Sequence, residues 1–240
     1  MKNNICLVLP VYNKENTIAH TLISFNERFK KNGIEVEFII SEDGSSDNSV
    51  EIIQSLSKSM NITLLSSETK GNYNSAVVKG LNNAKREIIA FVDSDGQYDP
   101  EDLIKMISLL EKDKFVAGYR NPRVDTKFRI LISFLFKLIY YFLFRIKLRD
   151  PSCSYFVGYQ SNVNQVINKY KFGHLPEGFW WEFYACCKNS SIEIIEHPVK
   201  HFKRNYGNTV VFKLKFLPKI GYVNIKGLFK LKKYLSFKPK

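Results

Sequence analysis

The sequence predicts an α/β domain on a mainly parallel sheet with helices on both faces. Three observations support this. Short apolar runs alternate with stretches of helical periodicity through the first 120 residues. The strand-like runs are continuously apolar rather than alternating, as strands covered on both faces require. Polar residues gather just after several of these runs, where parallel sheets bind ligands. At 240 residues and 45% hydrophobic content, the chain has enough apolar side chains for a large core and does not have the composition of a disordered one.

Taken in order, "ICLVLP" reads as the first strand. In "NTIAHTLISFNERFKKNG", Ile18, Leu22, Phe25 and Phe29 share a helical face, with Asn16 as the expected cap and Gly33 as the stop. "VEFIIS" is the second strand, and "SSDNSVEIIQSLSKS" the second helix, opened by Ser46 or Asp47. "ITLLS", "NSAVVKGLNNAK" and "EIIAFVD" continue as strand, helix, strand. Asp99 and Pro100 open the helix "DPEDLIKMISLLEK", and "FVAGYR" is one more strand.

Tyr12, Asn13 and Glu15 follow the first strand, Glu42, Asp43 and Gly44 the second, and Asp93, Asp95 and Gln97 the fourth. Asp and Asn favour turns and caps, which explains any one of these clusters alone. Three at corresponding strand ends point to one ligand site. In "AFVDSDGQYDP", Asp93 and Asp95 repel each other unless a positive charge lies between them.

Charge divides the chain. Residues 1–120 hold 14 Lys and Arg against 17 Asp and Glu; residues 121–240 hold 22 against 6, within a total of +13. A basic second half suits an anionic partner: phosphorylated substrate, anionic lipid or nucleic acid. No nucleic-acid-binding motif accompanies it, so no nucleic acid is expected. Cys6, Cys153, Cys186 and Cys187 have no metal-ligand spacing, and a reducing, cytoplasmic setting is expected. The apolar run before Pro10 is too short for a secretory leader. The four histidines show no metal-ligand pattern either.

"FRILISFLFKLIYYFLFRI", residues 128–146, is the most apolar stretch. As a membrane span it would bury Lys137 at a cost of ~3 kcal/mol. It would also separate Arg120 from Asp150 across the bilayer, so a helix lying in the interface is expected, with a plain core helix as the competing reading. The tail from 211 to 240 has no acid, and its lysines interleave with Phe, Leu and Tyr as an anionic membrane surface requires.

"LVLPVYNKENTI", "IISEDGSSDNS" and "IIAFVDSDGQYDPEDL" together resemble the successive signatures of glycosyltransferase family 2, and most nearly its dolichol-phosphate mannose synthase and polyprenyl-phosphate branch. The likeness continues through "VAGYRNPRVDTKFRILIS", "LRDPSCSYFVGY", "LPEGFWWEF" and "EIIEHPVKHFKRNYGNT", over roughly residues 4–210. It implies a GT-A fold, to which the apolar stretch and the basic tail add C-terminal amphipathic, membrane-associating helices. It also implies inverting transfer from a nucleoside-diphosphate sugar to a polyprenyl phosphate, or to a lipid-linked glycan if a carboxylate base is present.

The resemblance assigns Pro10, Tyr12, Glu15, Asp43 and Asp93 to donor binding, and Asp93, Asp95 and Gln97 to Mg²⁺ or Mn²⁺. It assigns Arg120, Arg129 and Arg204 to phosphate, and Asp95, Asp150 and Glu182 to catalysis; Arg123 and Lys203 lie beside these motifs. Residues 1–120 would be the nucleotide-sugar half, 121–210 the acceptor half and 211–240 a basic tail, on the cytoplasmic face of a membrane. Departures from the pattern are Glu42 for an Asp, "KGNYNSA" before the third helix, and Tyr155 where relatives have glycine.

Overall fold

The computed structural model describes residues 4–122, 127–176, 178–203 and 217–237, with backbone alone at 127–129 and 217–220. The first half alternates as read: β1 (Ile5–Val11), α1 (Ile18–Lys31), β2 (Val36–Glu42), α2 (Ser49–Leu56), β3 (Ile62–Leu65), α3 (Tyr73–Asn83), β4 (Ile88–Val92), α4 (Pro100–Ser108) and β5 (Lys114–Arg120). There follow α5 (Lys127–Phe144), β6 (Tyr155–Tyr159), α6 (Gln160–Lys169), α7 (Phe179–Asn189), β7 (Glu193–Val199) and α8 (Leu217–Ser236).

The seven strands run β3-β2-β1-β4-β6-β5-β7. Only β6 opposes the rest, pairing antiparallel with both β4 and β5, while β7 returns parallel to β5. Strand residues alternate between two cores, as the two-residue pleat demands. Leu7, Leu9 and Ala90 face α1, α2 and α4; Val8, Ile89 and Phe91 face α3 and α5–α8. Nine consecutive residues of α7, Phe179 to Cys187, are buried, so that helix is core on every face.

Local chemistry sets the helix starts. Asp99 accepts from the Glu101 N–H at 3.0 Å with Pro100 behind it. Asn72 and Ser75 form a reciprocal capping box on α3. Asn16 is not the α1 cap: the helix begins after Thr17, whose side chain makes no cap bond. The α2 cap is Asn48, although the Asp47 carboxylate does accept from the Ser49 N–H at 3.0 Å. All four cysteines are buried thiols without disulfides.

Two helices decide how the basic half is built. α5 packs Tyr140 and Phe144 into the core but leaves Ile130, Leu131, Phe134, Leu135, Leu138 and Phe142 facing solvent. Among the described residues, no helix is long and apolar enough to cross a membrane. α8 is no free appendage: Leu228, Leu231 and Leu235 are buried in the same core as α7. At Gly227 a Cβ would lie 2.3 Å from the His174 carbonyl oxygen, so only glycine allows that approach.

Candidate active site

Strand order puts β1 between β2 and β4, so the chain departs to one side of β1 and returns on the other. The crevice beyond the carboxyl ends of β1 and β4 is therefore the switch point where open α/β sheets bind ligands. Pro10 is the next-to-last residue of β1, and its carbonyl accepts from the Ser94 hydroxyl at 2.6 Å, tying β1 to the turn after β4. Gly96, at φ +71°, closes that turn in a conformation that side-chain-bearing residues rarely adopt.

The expected donor residues do converge on this edge. Tyr12 lies beneath the Lys70 ammonium, 4.2 Å from the ring centroid. Glu15 accepts from the Asn48 side chain at 2.8 Å, joining the loop after β1 to the start of α2. Asp43 accepts the Gly71 N–H at 3.1 Å, and burial raises its proton affinity. A Cβ at residue 71 would stand 2.8 Å from the Asp43 carboxylate, so glycine is what lets this loop close on the acid.

Asp93 is the most constrained acid of the set. One carboxylate oxygen accepts from the Tyr73 hydroxyl at 2.8 Å and the other from the Ser154 hydroxyl. Burial first, and the Asp95 charge second, push its pKa up to about 6. Gln97 anchors the turn at its far side, its amide donating to the Phe202 carbonyl at 2.8 Å.

These groups suit a divalent cation. Two carboxylates and an amide are hard oxygen donors, and the repulsion that raises Asp93 is what a cation would relieve. Among the described residues no three acidic, His or Cys side chains form a ready-made metal cluster. A cation here would complete its shell with oxygens from a ligand.

On the acceptor side the structure redirects several expectations. Arg120 and Asp150 do meet, but as a two-point ion pair: Nε at 2.6 Å and Nη2 at 2.9 Å from the carboxylate, with Ser152 bridging. The carboxylate is nearly enclosed and raises the guanidinium's proton affinity further. An acid so paired is a poor proton acceptor, and its guanidinium is not a free phosphate ligand.

Glu182, assigned to catalysis by the resemblance, is engaged by the fold around it. It is fully buried and accepts the N–H groups of Gly173, His174 and Leu175 plus the His174 ring nitrogen at 2.5 Å. Its work is to fold the 173–175 loop. Tyr155 likewise stays out of the crevice, its ring tilted against Tyr98 at 4.7 Å in the core and its hydroxyl donating to the Asp99 carbonyl. Arg123, Arg204 and the side chain of Arg129 lie outside the described residues.

Three residues of the site escaped the sequence reading: Tyr73, Ser154 and Trp180. Ser154 and Trp180 sit inside quoted motifs, but nothing local announces that they reach Asp93 or its neighbour. Tyr73 sits in the departure "KGNYNSA", the one available signal.

Comparison with known proteins places the chain in a family and a fold. A family model described as glycosyl transferase family 2 matches residues 6–170. The undecaprenyl-phosphate 4-deoxy-4-formamido-L-arabinose transferase of Proteus mirabilis (strain HI4320) is 30% identical over 130 residues, covering 53% of this chain and 40% of that protein. Its namesake from Edwardsiella ictaluri (strain 93-146) is 26% identical over 209 residues, 85% of this chain and 62% of that one. The chain thus spans less than two thirds of either relative.

Among solved structures, glucosyl-3-phosphoglycerate synthase from Mycobacterium tuberculosis, in complex with Mn²⁺, UDP and phosphoglyceric acid, superposes with a TM-score of 0.71. It is 16% identical, with 96% of this chain and 78% of that one covered. Mannosyl-3-phosphoglycerate synthase from Rubrobacter xylanophilus gives 0.71 at 13% identity, covering 97% and 75%. These last two likenesses are of fold. With the family signature extending from β1 through α6 and the acids of that signature gathered at one crevice, the chain belongs to glycosyl transferase family 2.

Proposed function

We propose that the chain transfers a sugar, with inversion, from a nucleoside-diphosphate sugar to a polyprenyl phosphate at a membrane surface, using Mg²⁺ or Mn²⁺. The observation that carries the reading is the Asp93–Asp95 pair at the switch point, where burial and mutual repulsion favour a cation. Asp95 and Gln97 would hold that cation, with Asp93 beside them. When bound, it supplies Lewis-acid stabilisation of the departing diphosphate. Pro10, Tyr12, Glu15 and Asp43 line the nucleotide side, Asp43 facing the base.

A phosphate monoester is already anionic near neutral pH, so its attack on the anomeric carbon needs no general base. The state of Asp150 and Glu182 supports such an acceptor over a sugar hydroxyl, since each is engaged elsewhere. Both relatives being named undecaprenyl-phosphate transferases supports it too. Arg129 and Arg204 remain the residues proposed to hold phosphate.

The exposed apolar face of α5 and the lysines along α8 support a peripheral seat on an anionic membrane, placed on its cytoplasmic face. Residues 1–120 would then serve the donor, 121–210 the acceptor, and 211–240 the membrane. The test is a thermal-shift screen of UDP- and GDP-sugars with Mn²⁺, followed by turnover with polyprenyl phosphate. Stabilisation that appears only with metal and donor together is expected. A donor response indifferent to chelator would end the metal reading.

A further inference from the structure

We infer that Tyr73 is a positioning residue of the donor site, and that through its hydroxyl the acceptor-side helix α7 holds the Asp93 carboxylate in place. The inference rests on Asp93 being a donor-site group, as proposed above.

The geometry is a directed chain. The Trp180 indole N–H lies 3.1 Å from the Tyr73 oxygen, and the Tyr73 hydroxyl lies 2.8 Å from Asp93. An indole N–H can only donate and an ionised carboxylate can only accept. The polarity is therefore forced: Trp180 donates to Tyr73, and the single Tyr73 proton goes to Asp93. Donation by Trp180 polarises that hydroxyl and strengthens its bond to the acid. With Ser154 on the second oxygen, both ends of the carboxylate are pinned and its plane is fixed.

Both anchors are rigid. Tyr73 is the first residue of α3, directly behind the capping box of Asn72 and Ser75. Trp180 is 4% exposed and packs edge-on against Phe91 at 4.6 Å, on β4 two residues before Asp93, which lies just past the end of that strand. The Tyr73 residue itself is 37% exposed, so core packing does not account for a tyrosine here. What a phenylalanine would lack is the hydroxyl, and the hydroxyl is the link between the two halves.

The chain's two tryptophans, Trp180 and Trp181, both lie on α7, so intrinsic emission reports on this helix. The experiment titrates full-length protein with UDP and with GDP, with and without Mn²⁺, by calorimetry and tryptophan emission. Tyr73→Phe should weaken Mn²⁺-dependent binding roughly ten- to hundred-fold, the worth of a hydrogen bond to a charged group. It should also shift ligand-free emission, because the indole loses its acceptor. Trp180→Phe should weaken binding roughly two- to ten-fold.

The double variant should bind no more weakly than Tyr73→Phe alone, since both changes break one chain, whereas Ser154→Ala should add to Tyr73→Phe. Melting curves establish that each variant is folded. Unchanged nucleotide binding in a folded Tyr73→Phe protein, or full additivity with Trp180→Phe, overturns the inference and leaves the proposed function standing. Absence of Mn²⁺-dependent binding of either nucleotide to the wild type overturns both.

Discussion

At the carboxyl ends of β2 and β4, Glu42, Asp43 and Asp93 are held by hydroxyls and backbone amides. Beside β5 and α7, Asp150 is held by a guanidinium and Glu182 by a histidine and three amides. Both regions orient carboxylates firmly, yet the chemistry left over differs. A neutral donor fixes a carboxylate without cancelling its charge, so the donor edge stays negative and attracts a cation. A guanidinium fixes and cancels at once, so Asp150 is left as architecture. Between Asp93 and Asp150 the kind of partner thus separates an acid that can serve a ligand from one tied into the fold, whereas Glu182, held mainly by neutral amides, is withdrawn from a ligand by its complete burial.

The most damaging change to this contrast is Asp95→Ala. Losing a proposed metal ligand should lower turnover by at least ~10³-fold, since Lewis-acid stabilisation is worth several kcal/mol. The melting temperature in chelator should stay level or rise, because a repulsive charge is gone. Wild-type turnover in the variant, or turnover that survives excess chelator, would remove the distinction on the donor side.

Next in size is the acceptor-side pair. Asp150→Leu strands a nearly enclosed Arg120 and should cost ~3–5 kcal/mol of stability, seen as a lower urea midpoint. Arg120→Met combined with Asp150→Leu should recover most of that loss. Turnover per folded Asp150→Asn molecule should fall by less than ~10²-fold with polyprenyl phosphate, and no carboxylate pKa should vanish from the pH profile. A ~10⁴-fold loss with donor binding intact would make Asp150 a true base. The acceptor would then be a glycan hydroxyl.

The edge proposed for the donor was legible as a cluster because its information is local. βα alternation and three contiguous acid clusters each fit within a dozen residues, and a parallel sheet brings successive strand ends together without further instruction. What was illegible is long-range pairing. Trp180 meets Tyr73 across 107 positions and Ser154 meets Asp93 across 61.

The tail was legible only in part, for a different reason. Leu228, Leu231 and Leu235 repeat at helical spacing among lysines, a pattern that suits a membrane and a protein core equally. In the structure the three leucines lie in the core and the close approach of Gly227 to the His174 carbonyl oxygen seats α8 against the body, while Lys226, Lys230, Lys232 and Lys233 stay exposed. Likewise nothing in "SYFVGY" distinguishes an antiparallel β6 from one more parallel strand.

A smaller effect follows from Asp93. Its folded pKa, about 6, lies above the unfolded value near 3.8, so the folded state binds its proton more tightly. The resulting stabilisation is complete below about pH 4 and is lost as pH rises through about 6. In metal-free protein Asp93→Asn should therefore raise the melting temperature by a few degrees at pH 7.5 and give no such gain at pH 4. An equal gain at both pH values would show that the charge at the crevice is not what strains the metal-free fold. Saturating Mn²⁺ and UDP should abolish the gain.

The gentlest test compares the two basic-half helices at a membrane. Deleting residues 213–240 would confound it, because Leu228, Leu231 and Leu235 would leave the core with the tail. Surface substitutions avoid this. Phe134 and Phe142 project from the exposed face of α5, 48% and 66% accessible, with Ile130 and Leu138 on the same stripe. If that stripe enters the headgroup region, Phe134→Ser and Phe142→Ser should each lower binding to anionic vesicles about five-fold, for ~1 kcal/mol of partial ring burial. Lys226→Ser with Lys230→Ser on α8 should lower it by ~1 kcal/mol per charge at most, and only at low salt, since 1 M salt shortens the reach of charge to ~3 Å. Losses from α5 that persist at high salt, beside losses from α8 that vanish there, would assign insertion to one helix and attraction to the other. If all three variants bind vesicles as the wild type does, the apolar face of α5 is not a membrane contact, and the peripheral seat proposed for this enzyme falls with it.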